Sequence, residues 1–156
     1  MDDLTLARAI HVLALVHWIG GVSMVTLVIL PAVRRLAEPA DRLAQFEALE
    51  QRFSAQAKVS VLLAGLSGFW MLWTTQGWWR LADPGQWWVL LMLAVWTVFA
   101  VVLFLAEPLV LHRWFHARAS VAPDQTFALV LRLHRLLLAV SLVAVAGGVL
   151  GAHGSL

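Results

Sequence analysis

The chain contains no cysteine, which removes disulfides, thiolate metal sites, iron–sulfur clusters and covalent c-type heme attachment together. Any metal would need other ligands. Charge is also scarce: 13% of the 156 residues are charged, half the roughly 25% of an ordinary soluble domain. Between Pro39 and Ala64 neither glycine nor proline occurs, so no breaker interrupts a helix there. Nucleophile motifs, phosphate loops and dinucleotide fingerprints are missing as well, leaving no support for a hydrolase, kinase or other transferase. An oxidoreductase role stays open.

What the sequence has instead is apolar surface. Hydrophobic residues make up 62% against roughly 45–50% in soluble domains, and the mean hydropathy is +0.83. Runs of about 20 apolar residues can cross about 30 Å of hydrocarbon, and four runs of nearly that size appear, at about 10–30, 59–73, 87–106 and 127–150. The expected fold is an all-α membrane protein: one domain over residues 1–156, a four-transmembrane-helix antiparallel bundle of two hairpins. Leu43, Phe46, Leu49 and Phe53 recur at helical spacing, which predicts an amphipathic cytoplasmic extension continuous with the second span. Asp83-Pro84-Gly85 marks a turn between Trp78-Trp79 and Trp87-Trp88, the aromatic belt of a water interface. Asp124 is the expected N-cap of the last helix.

Arg34, Arg35, Arg42, Arg52 and Lys58 fall in the first connection, and Arg113 and Arg118 in the third, whereas the opposite side holds only Arg8 and Arg80. The positive-inside rule then puts both termini in the periplasm of a bacterial inner membrane. The first apolar run follows an acidic Met1-Asp2-Asp3 start and ends in Pro31 and Arg34-Arg35 without a small-residue cleavage site, so it reads as a span and not as a removable signal peptide. The pI near 10.4 reflects basic residues beside apolar segments, facing lipid headgroups, and nucleic acid is not an expected partner. The lipid bilayer is; a homo-oligomer is compatible with the pattern.

Six histidines in so apolar a chain are functional candidates, because ionisable groups at membrane depth are costly. Placed on one slab, His11 and His153 share the outer level, and His112 and His134 the inner. His17 lies about 9 Å deeper than His11. Each pair could bind heme iron between two imidazoles, with Gly20-Gly21, Gly65, Gly68, Gly147, Gly148 and Gly151 giving the macrocycle room. One or two heme b groups at opposite faces would form a transmembrane electron path, conceivably to quinone or a redox partner protein. His112 and His116 stand at i and i+4, a spacing that can chelate one metal. Glu107 lies about one turn earlier, with Arg132, Arg135, Arg34 or Arg35 as expected ion-pair partners, or else acts as a proton acceptor or a further metal ligand beside His116, with His17 a further metal candidate. A copper or heme transporter or chaperone, or a structural subunit whose histidines merely pack, are the alternatives. Met24, Met71 and Met92 read as packing residues.

The stretch His11-Val-Leu-Ala-Leu-Val-His17-Trp18-Ile19-Gly20-Gly21 resembles the opening helix of the CopD-like family of small membrane domains, where an early helix histidine precedes a Trp-x-Gly-Gly step. Ala64-Gly65-Leu66-Ser67-Gly68, the glycine-rich last helix, Glu107-Pro108 through His112-Arg113-Trp114 and Gly151-Ala152-His153-Gly154 are similar to an uncharacterised bacterial branch neighbouring HemJ-like heme-binding proteins. The resemblance implies a four-helix bundle, b-type heme or copper handling, and His11 as a family-type ligand. HemJ-like proteins also use a membrane lysine; the one lysine here, Lys58, reads as preceding the second span.

Overall fold

A computed structural model describes residues 2–38 and 41–154, and among them no strand occurs. Helix α1 runs Asp3–Met24, capped by Asp2, whose carboxylate accepts from the Thr5 amide at 2.6 Å. A π-helical stretch, Val25–Ile29, carries it into α2, Leu30–Leu36. Helix α3 is unbroken over Arg42–Thr74, so the connection lacking glycine and proline and the second apolar run form one rod, as their spacing predicted. Short 3₁₀ turns at Gly77–Leu81 and Pro84–Gln86 follow, and Asp83 caps the second by accepting from the Gly85 amide at 2.9 Å. Helix α4 spans Trp87–Val101, a π-helical segment Val102–Leu111 follows, then α5, His112–Ala119, and α6, Pro123–Ala152.

Among the described residues four stretches are long and apolar enough to cross a membrane: Asp3–Leu36, Phe53–Thr74, Pro84–Val110 and Pro123–Ala152. They suit a multi-pass membrane protein in contact with lipid. Two boundaries differ from expectation. The third stretch does not stop at 106, because wide π turns absorb Pro108 inside the helix, tolerating its missing amide where a plain α-helix would break. The last helix begins at Pro123, not at a cap on Asp124. Proline suits the first helical position, whose amide is unsatisfied anyway, and Asp124 instead joins Arg42 in an ion pair.

Helix α1 packs most extensively on α3, and α4 on α6. Residues pair along the α1–α3 seam with numbers rising on one helix and falling on the other: His11 with Ala64 and Ser67, His17 with Ser60, Gly21 with Phe53. Two cores result. One gathers Trp18, Val22, Val61, Val95, Phe99 and Leu138; the other gathers Val25, Leu30, Phe46, Phe127 and Leu131 nearer α2.

Candidate functional site

Glycines at helix contacts create notches, and in this chain its own rings fill them. A Cβ on Gly65 would stand 2.6 Å from the Trp96 ring, and Gly21 and Gly151 face Phe53 and Trp88 with even less room. Met92 lies against Gly148 and Trp87 against Gly147. Space read from the sequence as room for a macrocycle is therefore mostly occupied by protein, which gives those contacts close interhelical packing. Gly20 faces open space instead.

The histidines differ in what holds them, and their protons can be placed by hydrogen-bond accounting. At His11, Nδ1 meets the Ala64 carbonyl oxygen at 2.9 Å and Ser67 Oγ at 3.1 Å. A carbonyl only accepts, so Nδ1 carries the proton and Nε2 keeps its lone pair. The Ser67 hydroxyl donates to the Leu63 carbonyl, leaving its oxygen free to accept from His11. His134 and His153 have the same tautomer for the same reason, each donating from Nδ1 to a carbonyl one turn back, Val130 at 3.0 Å and Val149 at 2.8 Å. His17 is the exception. Its Nδ1 lies 2.9 Å from Ser60 Oγ, the hydroxyl's only hydrogen-bond partner among the described residues; with the buried Ser60 hydroxyl as donor, the arrangement that satisfies its proton, His17 bears its own on Nε2.

His11 and His153 lie at the end of the molecule that carries the turn before α4, since α1 begins where α3 ends and α6 ends beside Trp88. His134 lies at the other end, its ring edge-on to Phe46 at 5.6 Å. Yet no hydrogen bond or ring contact joins His11 to His153 among the described residues: one ring is wedged between α1 and α3, the other is exposed on the tip of α6. The side chains of His112 and His116 lie outside the described residues, so the inner pair and the i, i+4 chelate are not described. Among the described residues no three of His, Asp and Glu converge to hold a metal ion.

Glu107 takes partners other than the arginines expected. Ser54 Oγ lies 2.9 Å from each of its carboxylate oxygens, and Lys58 Nζ reaches it at 3.4 Å. The π winding carries the helix past Pro108 and aims Glu107 at α3, and Lys58 falls within the stretch Phe53–Thr74 instead of before it. Glu50, one turn from Ser54 and just outside that stretch, approaches His134 Nε2 at 4.0 Å. Burial first, then the neighbouring Glu107 and Glu47 carboxylates, push its pKa up to about 7. Nothing in the local sequence pattern signalled Glu50, which reads as one more polar residue of an amphipathic helix. No family model, curated protein or solved structure matches the chain.

Heme can be tested against these residues atom by atom. Basic Nε2 atoms are present on His11, His134 and His153, each imidazole oriented by a carbonyl on its other nitrogen, the usual arrangement of a ligating histidine. Ser67, which the His11 N–H touches, lines a groove of 350 Å³ with Asp3, Ile10, Leu66 and Trp70, and His11 itself is not among the lining residues. At His11 the chemistry of the ligand atom fits heme iron, and the nearest groove opens one residue away, at Ser67; the glycine notches elsewhere do not add to that space.

Proposed function

We propose that this chain is a b-type heme-binding protein of the bacterial inner membrane, working in transmembrane electron transfer, with His11 as its principal iron ligand. The observation that carries the reading is the cross-helix bond from His11 Nδ1 to the Ala64 carbonyl, which fixes the ring and leaves Nε2 basic. His153, on the same end of the molecule, and His134 with His112 at the other are the further ligands this reading assigns. The likeness of the first helix to CopD-like and HemJ-like domains belongs to the same proposal. So do the antiparallel bundle, the cytoplasmic placing of the α3 extension and the periplasmic termini, which rest on the basic residues of the first and third connections.

Bound at His11, heme supplies one-electron chemistry. The chain's own residues do the rest. Ala64 and Ser67 hold the imidazole, Gly68 lets the ring approach α3, and Leu63, Leu66 and Trp70 give the neighbouring groove an apolar wall. Such burial and second-shell bonding are the protein's means of setting a potential.

The test is an absorption spectrum of detergent-purified protein, oxidised and then dithionite-reduced, beside His11→Ala and His134→Ala. The expected result is a reducible b-type spectrum lost in His11→Ala. A colourless wild type that cannot be reconstituted with heme would overturn the reading, and loss in His11→Ala alone would remove the inner site.

A further inference from the structure

His17 is exposed within the Asp3–Leu36 stretch, opposite Ser60, which stands seven residues inside the Phe53 end of Phe53–Thr74. At 1.5 Å per residue that is about 10 Å inside the near end of the stretch, below the level of the lipid ester carbonyls. Ser60 holds Nδ1, so the Nε2–H is a donor directed away from that bond, and it has no acceptor among the described residues. One turn along α3, Gln56 is likewise exposed and its amide is unpartnered among the described residues. Both line a groove of 470 Å³ on the α1–α3 seam, walled by Leu13, Val59 and Leu63. An unpaired donor in hydrocarbon costs several kcal/mol on the order of a lost hydrogen bond without compensation, and acyl chains offer no acceptor.

We infer that the His17–Gln56 groove binds a lipid-soluble quinone, whose ring carbonyls accept from the His17 Nε2–H and the Gln56 amide while its tail lies along Leu13, Val59 and Leu63. The ligand has to dissolve in hydrocarbon and still bring oxygen acceptors to that depth, which a quinone ring does. The groove's size falls within the 300–1,000 Å³ usual for small-molecule sites. His17 is thus set apart from His11: one helix presents a basic nitrogen near its end and an N–H donor farther along it. The inference concerns binding alone and stands independently of the heme reading.

The experiment uses ¹⁵N-histidine-labelled full-length protein in nanodiscs, titrated with ubiquinone bearing two isoprene units and, separately, with an alkylbenzene that lacks carbonyls. His17 is expected to show a protonated Nε2 whose resonance shifts saturably with the quinone and not with the alkylbenzene. Loss of one hydrogen bond predicts that His17→Phe binds about tenfold more weakly, whereas His17→Gln, which keeps an N–H donor, stays within about threefold. Val59→Trp, placed where the native side chain is 58% exposed, fills the groove and should also abolish binding without disturbing the core. Wild-type affinity in His17→Phe, or a His17 protonated on Nδ1, overturns the inference. So does efficient disulfide formation between Leu13→Cys chains in quinone-free liposomes, which would show a second copy covering the seam. None of these readouts uses the Soret band, so failure here leaves the heme reading standing, and colourless protein still tests the groove.

Discussion

The His11 ring lies over Gly68, its Cε1 3.2 Å from the position a Cβ on that residue would take. The imidazole is bonded to the Ala64 carbonyl on the same helix, so it cannot retreat without stretching that bond. Gly20 faces open space and provides the control. Gly20→Ala should gain the roughly 0.5–1 kcal/mol that alanine brings to a helix interior. Gly68→Ala should fall about 1 kcal/mol below it, the worth of one strained hydrogen bond. Thermal unfolding of both variants in one detergent decides the matter, and equal midpoints would show that the His11 notch is slack.

A harsher outcome is expected at Gly65. Its missing Cβ leaves room for Trp96, whose indole N–H donates to the Val61 carbonyl at 2.8 Å. Gly65→Ala forces the ring off that acceptor and should cost about 1–3 kcal/mol, the range for overpacking a filled site. In a Trp96→Phe background the same alanine should cost markedly less, and a double-mutant cycle reads the difference. Strict additivity would contradict the contact.

Lys58 and Glu107 are coupled across two helices at 3.4 Å, with side chains 33% and 38% exposed. A fully buried pair broken on one side loses about 3–5 kcal/mol; the partial exposure here screens the interaction, and about 1–2 kcal/mol is expected for Lys58→Met. Glu107→Gln made in addition should recover part of that loss, since Ser54 can still bond an amide. Raising the salt should shrink the coupling. A Lys58→Met variant as stable as the parent would show that the pair contributes nothing.

Glu50 should give the protein an acid-side stability bias. Its pKa is raised from 4.5 to about 7 in the folded chain, so the folded state holds a proton that the unfolded chain has already released. The stabilising share is full below about 4.5 and is lost as the pH climbs through about 7. Glu50→Gln removes the titration, and the unfolding midpoint should then vary less between pH 4.5 and 8. A variant whose profile parallels the parent's would place the titrating group elsewhere.

Much of this was legible in the sequence, and the reasons are local. An apolar run of span length is its own signature, so the four crossing stretches, the continuous α3 and the Asp83-Pro84-Gly85 turn could be read directly. The partner of Glu107 could not. Pro108 signals a stop in any α-helical reading, and the π winding that carries the helix past it leaves no compositional mark. The glycines misled for a different reason: Gly65 and Trp96, or Gly151 and Trp88, complement one another across helices, and a notch reads the same whether a ligand or a distant indole fills it. Side-chain tautomers were equally hidden, because the bonds that set His11 and His17 apart come from residues some fifty positions downstream.

The wide turns of Val102–Leu111 have a consequence for how this region tolerates change in length. An α-helix advances about 100° with each residue, and a π turn absorbs an additional one without shifting the axis. The bearing of Glu107 toward Lys58 is therefore an angular offset built up over the residues before it. Deleting a single leucine or valine there, a change harmless by hydropathy, would draw on that slack: unless the wide turns tighten to α-helical pitch, the carboxylate turns through about 100° away from Lys58. In this segment the count of residues matters more than their kind.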